Sequence, residues 1–587
     1  MEGIKHLQGM DFAVLAGYFI LIVLIGSYVA RFSRKTSDYF TAGSNISWWL
    51  AAISFWMATF SSLAFVTYSE LGYKYGLTAI TLYCSGVPAM LLGALVFVKL
   101  WRRARQMSPV GFIETRFNPF LGQVFVWTGI PLRVADNAIR IYATAVFLSA
   151  ALSTDFFTMT RVVWMTGLIG LVYSFLGGQW SVIVTDFVQF VILCLAVFLV
   201  FPLAVGEVGG FGSFFERMPE NFTVFLQPPY DLYQYLVYAF FFCFTFNAGW
   251  TMIQKYNCVR SERDARKLLY AVILWTVASS FIFYIPAMFS RVVFPDLENA
   301  RFSYAYMSLK VLPVGLMGIM IAAIFSATLS TLSNEYTMLS SVLTNDFYAK
   351  KLRPGASEKH LVTVARVNAI IVGLFTTLVA VGLQYVKGMN LFDIMMKAYT
   401  AFAPAIMAPL LCGILIRRLN SRGALTGITA GFVSGTFLLS LNFILVGIFH
   451  DQFVTNPQLN YWLNQGWTAT SIIINLTITF AGLMIGNRFG RMTDEERSRV
   501  DTFFGQLDTP YEYTGSVDAQ SPFPAIGGAL MIMGGCMTVV AGFVRFLYPE
   551  TGWFRLNLLA AAILLMLGAV VFFVSKRGAA RSGTAPS

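Results

Sequence analysis

The segment GLMGIMIAAIFSATLSTLSNEYTMLSSVLTNDFY, residues 315–348, is apolar enough to cross a bilayer but unusually rich in Ser, Thr and Asn. Ala327, Ser330, Thr331 and Asn334 are spaced i, i+3, i+4 and i+7, on one face of a helix. Oxygen ligands suit a hard cation such as Na⁺. Hydroxyls in membrane helices also bond the preceding turn or a neighbouring helix, so the pattern alone leaves both interpretations open.

The composition of the whole chain places this segment in a membrane protein. Of 587 residues, 57% are hydrophobic and only 12% are charged, whereas soluble domains contain about 25% charged residues. Disordered, disulfide-stapled and nucleic-acid-binding classes are excluded, because the net charge of +12 is spread over the ends of apolar runs and forms no single basic patch. The chain is predicted to be an all-α integral membrane protein.

Fifteen apolar runs are each long enough to span a bilayer, which takes about 20 residues. They cover residues 12–30, 47–70, 78–100, 121–151, 158–176, 182–205, 231–254, 268–290, 312–344, 361–385, 391–416, 423–448, 468–487, 524–547 and 553–575. Lys and Arg cluster between alternate runs, at 31–35, 99–116, 255–267, 350–359, 417–422, 488–499 and 576–581. The positive-inside rule makes these segments cytoplasmic, with the N-terminus outside and the C-terminus inside.

Other classes of function find little support in the residues. The six cysteines and three histidines are scattered singly, so neither a disulfide nor a metal site other than one for Na⁺ is expected. No constellation of catalytic residues indicates an enzyme. No cofactor, nucleic acid or obligatory protein partner is expected. The first apolar run is predicted to be a retained span, and the compact loops favour a plasma membrane, that of a bacterial cell in particular.

Ionisable residues within the predicted spans mark candidate functional positions, because a charge at mid-membrane costs about 2.5–3.5 kcal/mol on insertion scales. They are Arg133, Asp136, Arg140, Asp186, Glu335 and Lys397. The i, i+3, i+7 spacing of the first three would let Asp136 bridge both arginines. Structural pairing and a functional role are both open there.

The second apolar run has polar residues at its middle. In WWLAAISFWMATFSSLAFVTYSE, residues 48–70, these are Thr59, Ser61 and Ser62. If the helix unwinds at this point, the freed backbone carbonyls become ligands, as in transporters built from broken helices. Continuous helices tolerate Ser and Thr as well, so the residues do not decide between the two forms.

Three motifs, taken in order, resemble the sodium/solute symporter family. SDYFTAGSNISWW (37–49) is similar to the family's D-Y-F-x-A-G-R, with Ser44 at the Arg position. YSFLGGQWSVIVTDFVQ (173–189) is similar to Y-x-x-x-G-G-x-x-A-V-x-x-T-D-x-x-Q, with Ser181 at the Ala position. Residues 315–348 resemble the signature of the family's eighth core helix, and the whole resemblance extends over roughly residues 10–490.

The resemblance implies a LeuT-type core of two inverted five-helix repeats and Na⁺-coupled symport of a small solute by alternating access. The expected parts are a first peripheral span with the segment leading into the core (1–46), repeat one (47–205), repeat two (206–416), peripheral helices (417–489), a cytoplasmic linker with a short polar helix (490–523), and a two-helix hairpin with a basic tail (524–587).

The resemblance also implies where sodium binds. A principal site would use the backbone carbonyls of Met57, Phe60 and Ala327 and the side chains of Ser330 and Thr331. A second site, which only some members of the family have, would use Asp186, Ser333 and Asn334.

The family's solute-facing positions carry Thr59, Ser61, Leu63, Tyr83, Arg140, Thr245 and Lys397 in this chain. Sugar-transporting members have Asn and Glu where Thr59 and Leu63 stand. An unpaired sugar hydroxyl costs about 1–3 kcal/mol, so a hexose is not expected. Arg140 and Lys397 would suit a carboxylate, and Thr59-x-Ser61 resembles the arrangement in sialic-acid-type members. A neutral or zwitterionic solute stays open.

Two further functions remain open at the level of sequence. One is a transporter-like sensor that signals through a separate partner. The other is H⁺-coupled uptake of a neutral or zwitterionic solute such as an amino acid or sugar. In that case Asp186 or Glu335 would titrate during transport, and the hydroxyls of Ser330 and Thr331 would be dispensable.

Overall fold

The computed structural model describes residues 7–30, 44–106, 108–152, 157–175, 179–385, 391–449, 456–511 and 523–581. In these ranges the chain is helical and has no β-strand, which confirms the predicted all-α class. Part of the 37–49 motif and the Gly-Gly pair of the 173–189 motif lie outside them.

The helices are numbered in chain order. The first half comprises α1 (Gly9–Ala30), α2 (Trp48–Thr59), α3 (Ser62–Tyr75), α4 (Thr78–Cys84), α5 (Val87–Leu92), α6 (Val98–Ala104), α7 (Pro109–Arg116), α8 (Pro119–Leu152), α9 (Met159–Phe175), α10 (Gln179–Glu207), α11 (Gly210–Arg217), α12 (Leu232–Asn247) and α13 (Trp250–Asn257). The second half comprises α14 (Glu262–Val293), α15 (Ser303–Val311), α16 (Leu316–Ser341), α17 (Glu358–Leu383), α18 (Leu391–Leu415), α19 (Ser421–Ile448), α20 (Pro457–Tyr461), α21 (Trp467–Phe489), α22 (Asp494–Asp508), α23 (Phe523–Leu547) and α24 (Trp553–Arg581). π-helical turns join α5 to α6 (Gly93–Phe97), continue α16 (Val342–Leu352) and precede α21 (Trp462–Gly466).

A helix lies at each predicted membrane run, but the count of fifteen spans is not confirmed. Eleven spans among the described residues are long and apolar enough to cross a membrane, and two bent helix pairs raise the number to thirteen. Helix α8 misses this standard because Arg133, Asp136 and Arg140 interrupt its apolar length. Helix α9 misses it because its apolar part, Met159–Tyr173, is short.

Helix α16 is the centre of the molecule. Every residue from Leu316 to Ser341 is buried, and the helix packs against α1, α2, α3, α8, α9, α10, α13 and α17. Such a helix contacts neither lipid nor water, so its hydroxyls must bond within the protein. The density of Ser and Thr in this segment therefore reflects its central position.

Two helices are broken within their length. Phe60 and Ser61 are extended between α2 and α3, and the two halves are bent by 64°. Ala248 and Gly249 separate α12 from α13, which are bent by 49°. Each broken pair is the first span of one predicted repeat, as expected for a LeuT-type core of five plus five helices.

The peripheral helices pack as pairs around this core. Helix α19 packs against α21, and α23 against α24. The polar helix expected in the linker is α22, which lies against α6 and α7. The Arg103 guanidinium holds it there by donating from Nη1 to the backbone oxygen of Leu507 at 3.1 Å. The boundaries of the two repeats and of the peripheral parts stay predictions.

Candidate functional site

The break after α2 brings backbone oxygens together with α16. Since α2 ends at Thr59, its last carbonyls have no helical N–H to accept from. The Thr331 Oγ1 atom lies 3.2 Å from the backbone oxygens of both Met57 and Phe60 and 3.0 Å from that of Ala327. Three carbonyl oxygens and one hydroxyl oxygen thus converge in a fully buried place, which is the donor set that a hard monovalent cation prefers.

Ser330 links this group of oxygens to a buried carboxylate. Its hydroxyl donates to Oδ1 of Asp186 at 2.6 Å. The lone pairs of the Ser330 Oγ atom remain free to face a cation. Asp186 is fully buried on α10. Its negative charge therefore lies one hydrogen bond away from the predicted principal sodium site.

The residues expected to form a second sodium site are turned in different directions. The amide Nδ2 of Asn334 donates to Asp186 at 3.2 Å, whereas the Ser333 hydroxyl donates to the backbone oxygen of Ser330 at 2.9 Å. The Asp186 carboxylate also accepts from the Ser54 hydroxyl and faces Nζ of Lys255 at 3.9 Å.

The position of Lys255 corrects one part of the predicted topology. From the sequence, Lys255 was assigned to the basic cytoplasmic segment 255–267. The structure places it on α13, fully buried against α2 and α10. The second half of a broken helix is short and follows a polar break, so it has the appearance of a loop in the sequence. A signal in the sequence that could have placed Lys255 in the helix is its position, only five residues after Trp250.

A hydroxyl cluster that the sequence analysis missed fixes the start of α3. The Ser62 backbone N–H donates to Thr328 Oγ1 at 3.3 Å, and the Ser62 hydroxyl lies 2.6 Å from Thr144 Oγ1. Thr144 and Thr328 are themselves 2.8 Å apart. The cluster joins α3, α8 and α16, so it holds the second half of the broken helix in register with the central helix.

A cavity of about 230 Å³ opens beside the break. Six of the seven predicted solute-facing residues line it: Thr59, Ser61, Leu63, Tyr83, Arg140 and Thr245. Half of the remaining lining residues are aromatic or methionine: Tyr68, Phe241, Phe242, Phe246, Tyr399, Met252, Met395, Met396 and Met407. The cavity therefore suits a small organic molecule with an apolar body.

Two ion pairs supply the charge of the cavity. Arg140 pairs with Asp136 at 3.0 Å and donates to Ser61 Oγ at 3.0 Å. Arg133 pairs with Glu335 at 3.2 Å, so Asp136 does not bridge both arginines. The arginine side chains are 15% and 12% exposed, against 3% for Asp136 and 7% for Glu335. Each arginine side chain is therefore more exposed than the acidic side chain with which it pairs, and all four residues line the cavity.

Lys397 lies elsewhere, which corrects the expectation that it shares the cavity with Arg140. It lines a much smaller pocket with Thr400, Gly435, Asn442 and Ser471, between α18, α19 and α21. Arg133 and Glu335 are in the cavity instead. The sequence analysis named both as intramembrane charges, but only the packing of α8 against α16 shows that they meet.

The fold and the convergence of a broken helix, a central helix and a solute-sized cavity define a secondary transporter of the LeuT type. The chain belongs to the sodium:solute symporter family, whose model matches residues 39–431. Members of this family are transporters, so the expectation that the chain is not an enzyme is confirmed.

Curated relatives and a solved structure agree with this membership. A sodium/glucose cotransporter of Vibrio parahaemolyticus is 25% identical over 484 residues, covering 75% of this chain and 87% of the relative. The sodium/sialic acid symporter NanT of Aliivibrio fischeri is 24% identical over 463 residues, covering 75% and 90%. A substrate-bound, outward-open Na⁺-coupled sialic acid symporter superposes with a TM-score of 0.64 at 20% identity, over 81% of this chain and 98% of that one, and shares its fold.

Proposed function

We propose that this chain couples the uptake of a small organic carboxylate to the entry of Na⁺ by alternating access. The observation that supports the choice of solute is the pair of arginines, Arg133 and Arg140, that line the cavity and whose side chains are more exposed than those of their acid partners. Guanidinium binds carboxylate through two parallel hydrogen bonds, which gives both strength and orientation.

The wall of the cavity restricts the rest of the solute. Most of it is aromatic or aliphatic, and the Thr59 hydroxyl is already used, because it donates to the backbone oxygen of Trp56 at 2.7 Å. A polyhydroxylated sugar would leave several hydroxyls without partners. A carboxylate on a compact and largely apolar body is the better match, and sialic acid transport by a relative shows that carboxylates are within the range of this family.

Sodium would bind at the break, held by the carbonyls of Met57, Phe60 and Ala327 and the hydroxyls of Ser330 and Thr331. These ligands belong to the end of α2, the break that follows it and α16, and the cavity begins at Ala58 and Thr59 of the same α2 end. Solute and ion would thus stabilise the same arrangement of the broken helix, which is what coupling requires. A tenfold inward gradient of one Na⁺ supplies about 1.4 kcal/mol, enough for tenfold accumulation.

The surroundings of the transporter follow from the charge pattern of the sequence. We place it in a plasma membrane, with the N-terminus outside and the C-terminus in the cytoplasm, because the basic segments alternate with the predicted spans. A bacterial inner membrane is our choice of location because the loops are compact. Small solute, Na⁺ and lipid are then the partners that transport needs.

The test is a thermal-stability screen of the purified protein with carboxylates, amino acids and sugars, each in Na⁺ and in choline. Carboxylates should raise the Tm in Na⁺ and have little effect in choline. The charge-neutral double variant Asp136→Asn/Arg140→Gln should lose this response, while Lys397→Gln, outside the cavity, should keep it. Stabilisation by sugars alone, or equal stabilisation in choline, would contradict the proposal.

A further inference from the structure

The buried carboxylate of Asp186 is surrounded by polar donor groups from three other helices. Oδ1 accepts from the Ser330 hydroxyl at 2.6 Å. Oδ2 accepts from Asn334 Nδ2 at 3.2 Å and from the Ser54 hydroxyl. Nζ of Lys255 donates to the same Ser54 oxygen at 2.6 Å and lies 3.9 Å from Oδ2. The donors come from α2, α13 and α16, and the acceptor belongs to α10.

We propose that the Lys255 ammonium takes the place of a second sodium ion at Asp186, so that the transporter binds one Na⁺ per solute. This inference rests on the proposed Na⁺ coupling and adds its stoichiometry. Lys255 is a specificity-determining residue in this account, because it removes a cation site without touching the principal one.

Burial makes the two charges depend on each other. Lys255 and Asp186 are both 0% exposed, and an unpaired charge in such a place is strongly unfavourable. The ammonium therefore stays with the carboxylate as long as α13 remains packed against α2 and α16. A lysine is tethered to its helix, so unlike Na⁺ it cannot leave toward either side of the membrane.

The side chains expected at a second sodium site already act as hydrogen-bond donors around Asp186 and Ser330. Asn334 presents its N–H group to Asp186, and its own oxygen Oδ1 has no partner among the described residues. The Ser333 hydroxyl is bonded to the backbone of Ser330. A sodium ion beside Asp186 would lie within a few ångströms of the lysine ammonium, and two like charges this close repel strongly in a buried site.

The experiment counts sodium ions directly, without any solute. Equilibrium binding of ²²Na⁺ to the purified full-length protein is measured at constant ionic strength, with choline as the replacing cation. Four proteins are compared: wild type, Lys255→Met, the neutral double variant Asp186→Asn/Lys255→Met, and Lys310→Met. Lys310 pairs with Glu207 at 3.6 Å near the surface and serves as the matched control for loss of a lysine.

One sodium per chain is expected for wild type, the double variant and Lys310→Met, and two for Lys255→Met. Two ions bound to wild type would overturn the inference while leaving Na⁺ coupling intact, and so would a single ion bound to a monodisperse Lys255→Met protein. No binding to wild type would overturn the proposed coupling itself. If Lys255→Met does not fold, the wild-type count still decides between one ion and two.

Discussion

Thr331 is the residue at which the broken helix and the central helix meet. Its hydroxyl oxygen is within 3.2 Å of the backbone oxygens of Met57, Phe60 and Ala327, so under the proposed coupling its removal deletes a sodium ligand. We expect Thr331→Ala to raise the Na⁺ concentration for half-maximal thermal stabilisation by about tenfold or more, since 1.4 kcal/mol corresponds to a factor of ten. Thr331→Ser keeps the oxygen and should stay within about threefold of wild type.

The control for this variant is Ser326→Ala on the same helix. Ser326 is equally buried, but its hydroxyl donates to Tyr18 on α1 at 2.7 Å, away from the break. Its loss should change the Tm without changing the sodium concentration at half-effect. Equal sodium dependence in Thr331→Ala and wild type would show that the ion binds elsewhere.

The sequence did not predict which side chains pair with each other. The structure places Thr331 beside the backbone oxygens of Met57, Phe60 and Ala327, and Ser330 beside Asp186. Their assignment to a principal sodium site stays a prediction. The predicted surroundings of Lys255 and Lys397 were wrong, because the side chains around each lysine belong to other helices. A lysine in an apolar segment shows in the sequence that a partner is needed, and only the packing identifies that partner.

Close packing of helices in the periphery depends on glycine at particular positions. Gly435 of α19 faces α18 so closely that a Cβ there would overlap the backbone oxygen of Ala401 and approach the Asn475 amide. Backbone oxygens cannot move aside as a flexible side chain can, so the two helices must separate. We expect Gly435→Ala to lower the free energy of unfolding by about 1–3 kcal/mol, measured as a fall in the Tm of the detergent-solubilised protein.

Gly447 provides the matched comparison. It lies on the same helix, but a Cβ at this position meets no atom within 4 Å. Gly447→Ala should leave the Tm unchanged or raise it slightly, because alanine is the better helix former. If both variants lowered the Tm equally, the close approach of α18 at Gly435 would not be the cause of the loss.

The helices themselves follow from the length and hydropathy of the apolar runs, whereas the breaks do not. Ser61 and Ser62 occur in continuous membrane helices as readily as in broken ones. The break is stabilised by tertiary contacts, since Thr144 and Thr328 bond Ser62 from two other helices. Such contacts join residues far apart in the sequence, so the sequence of one segment alone does not predict them.

The whole molecule should cross the membrane with its basic segments inside. This orientation places Ser498 of α22 in the cytoplasm and Glu298, between α14 and α15, outside. Both positions are exposed. In a Cys536→Ser background, which removes the exposed native cysteine, Glu298→Cys should react with an impermeant maleimide added to intact cells. Ser498→Cys should react only after permeabilisation, and the reverse pattern would invert the topology.

At this scale the family resemblance predicted the fold correctly, because two of its three motifs lie largely on the core helices α10 and α16. The resemblance predicted less about the chemistry of the solute. The chemistry of the cavity depends on which of several intramembrane charges face inward, and Arg133 and Glu335 were not among the solute-facing positions. Side chains from several helices line the cavity, so its chemistry is a property of the assembled bundle.

Sodium coupling is the central claim, and the most direct measurement is ²²Na⁺ entry into proteoliposomes in response to an outward-to-inward gradient of a carboxylate that stabilises the protein. Addition of the carboxylate should accelerate ²²Na⁺ entry in wild type and in Ser326→Ala, with one ion entering per solute molecule, and should have little effect in Thr331→Ala. Carboxylate that enters equally fast in choline, or that follows an imposed H⁺ gradient in the absence of Na⁺, would contradict the account.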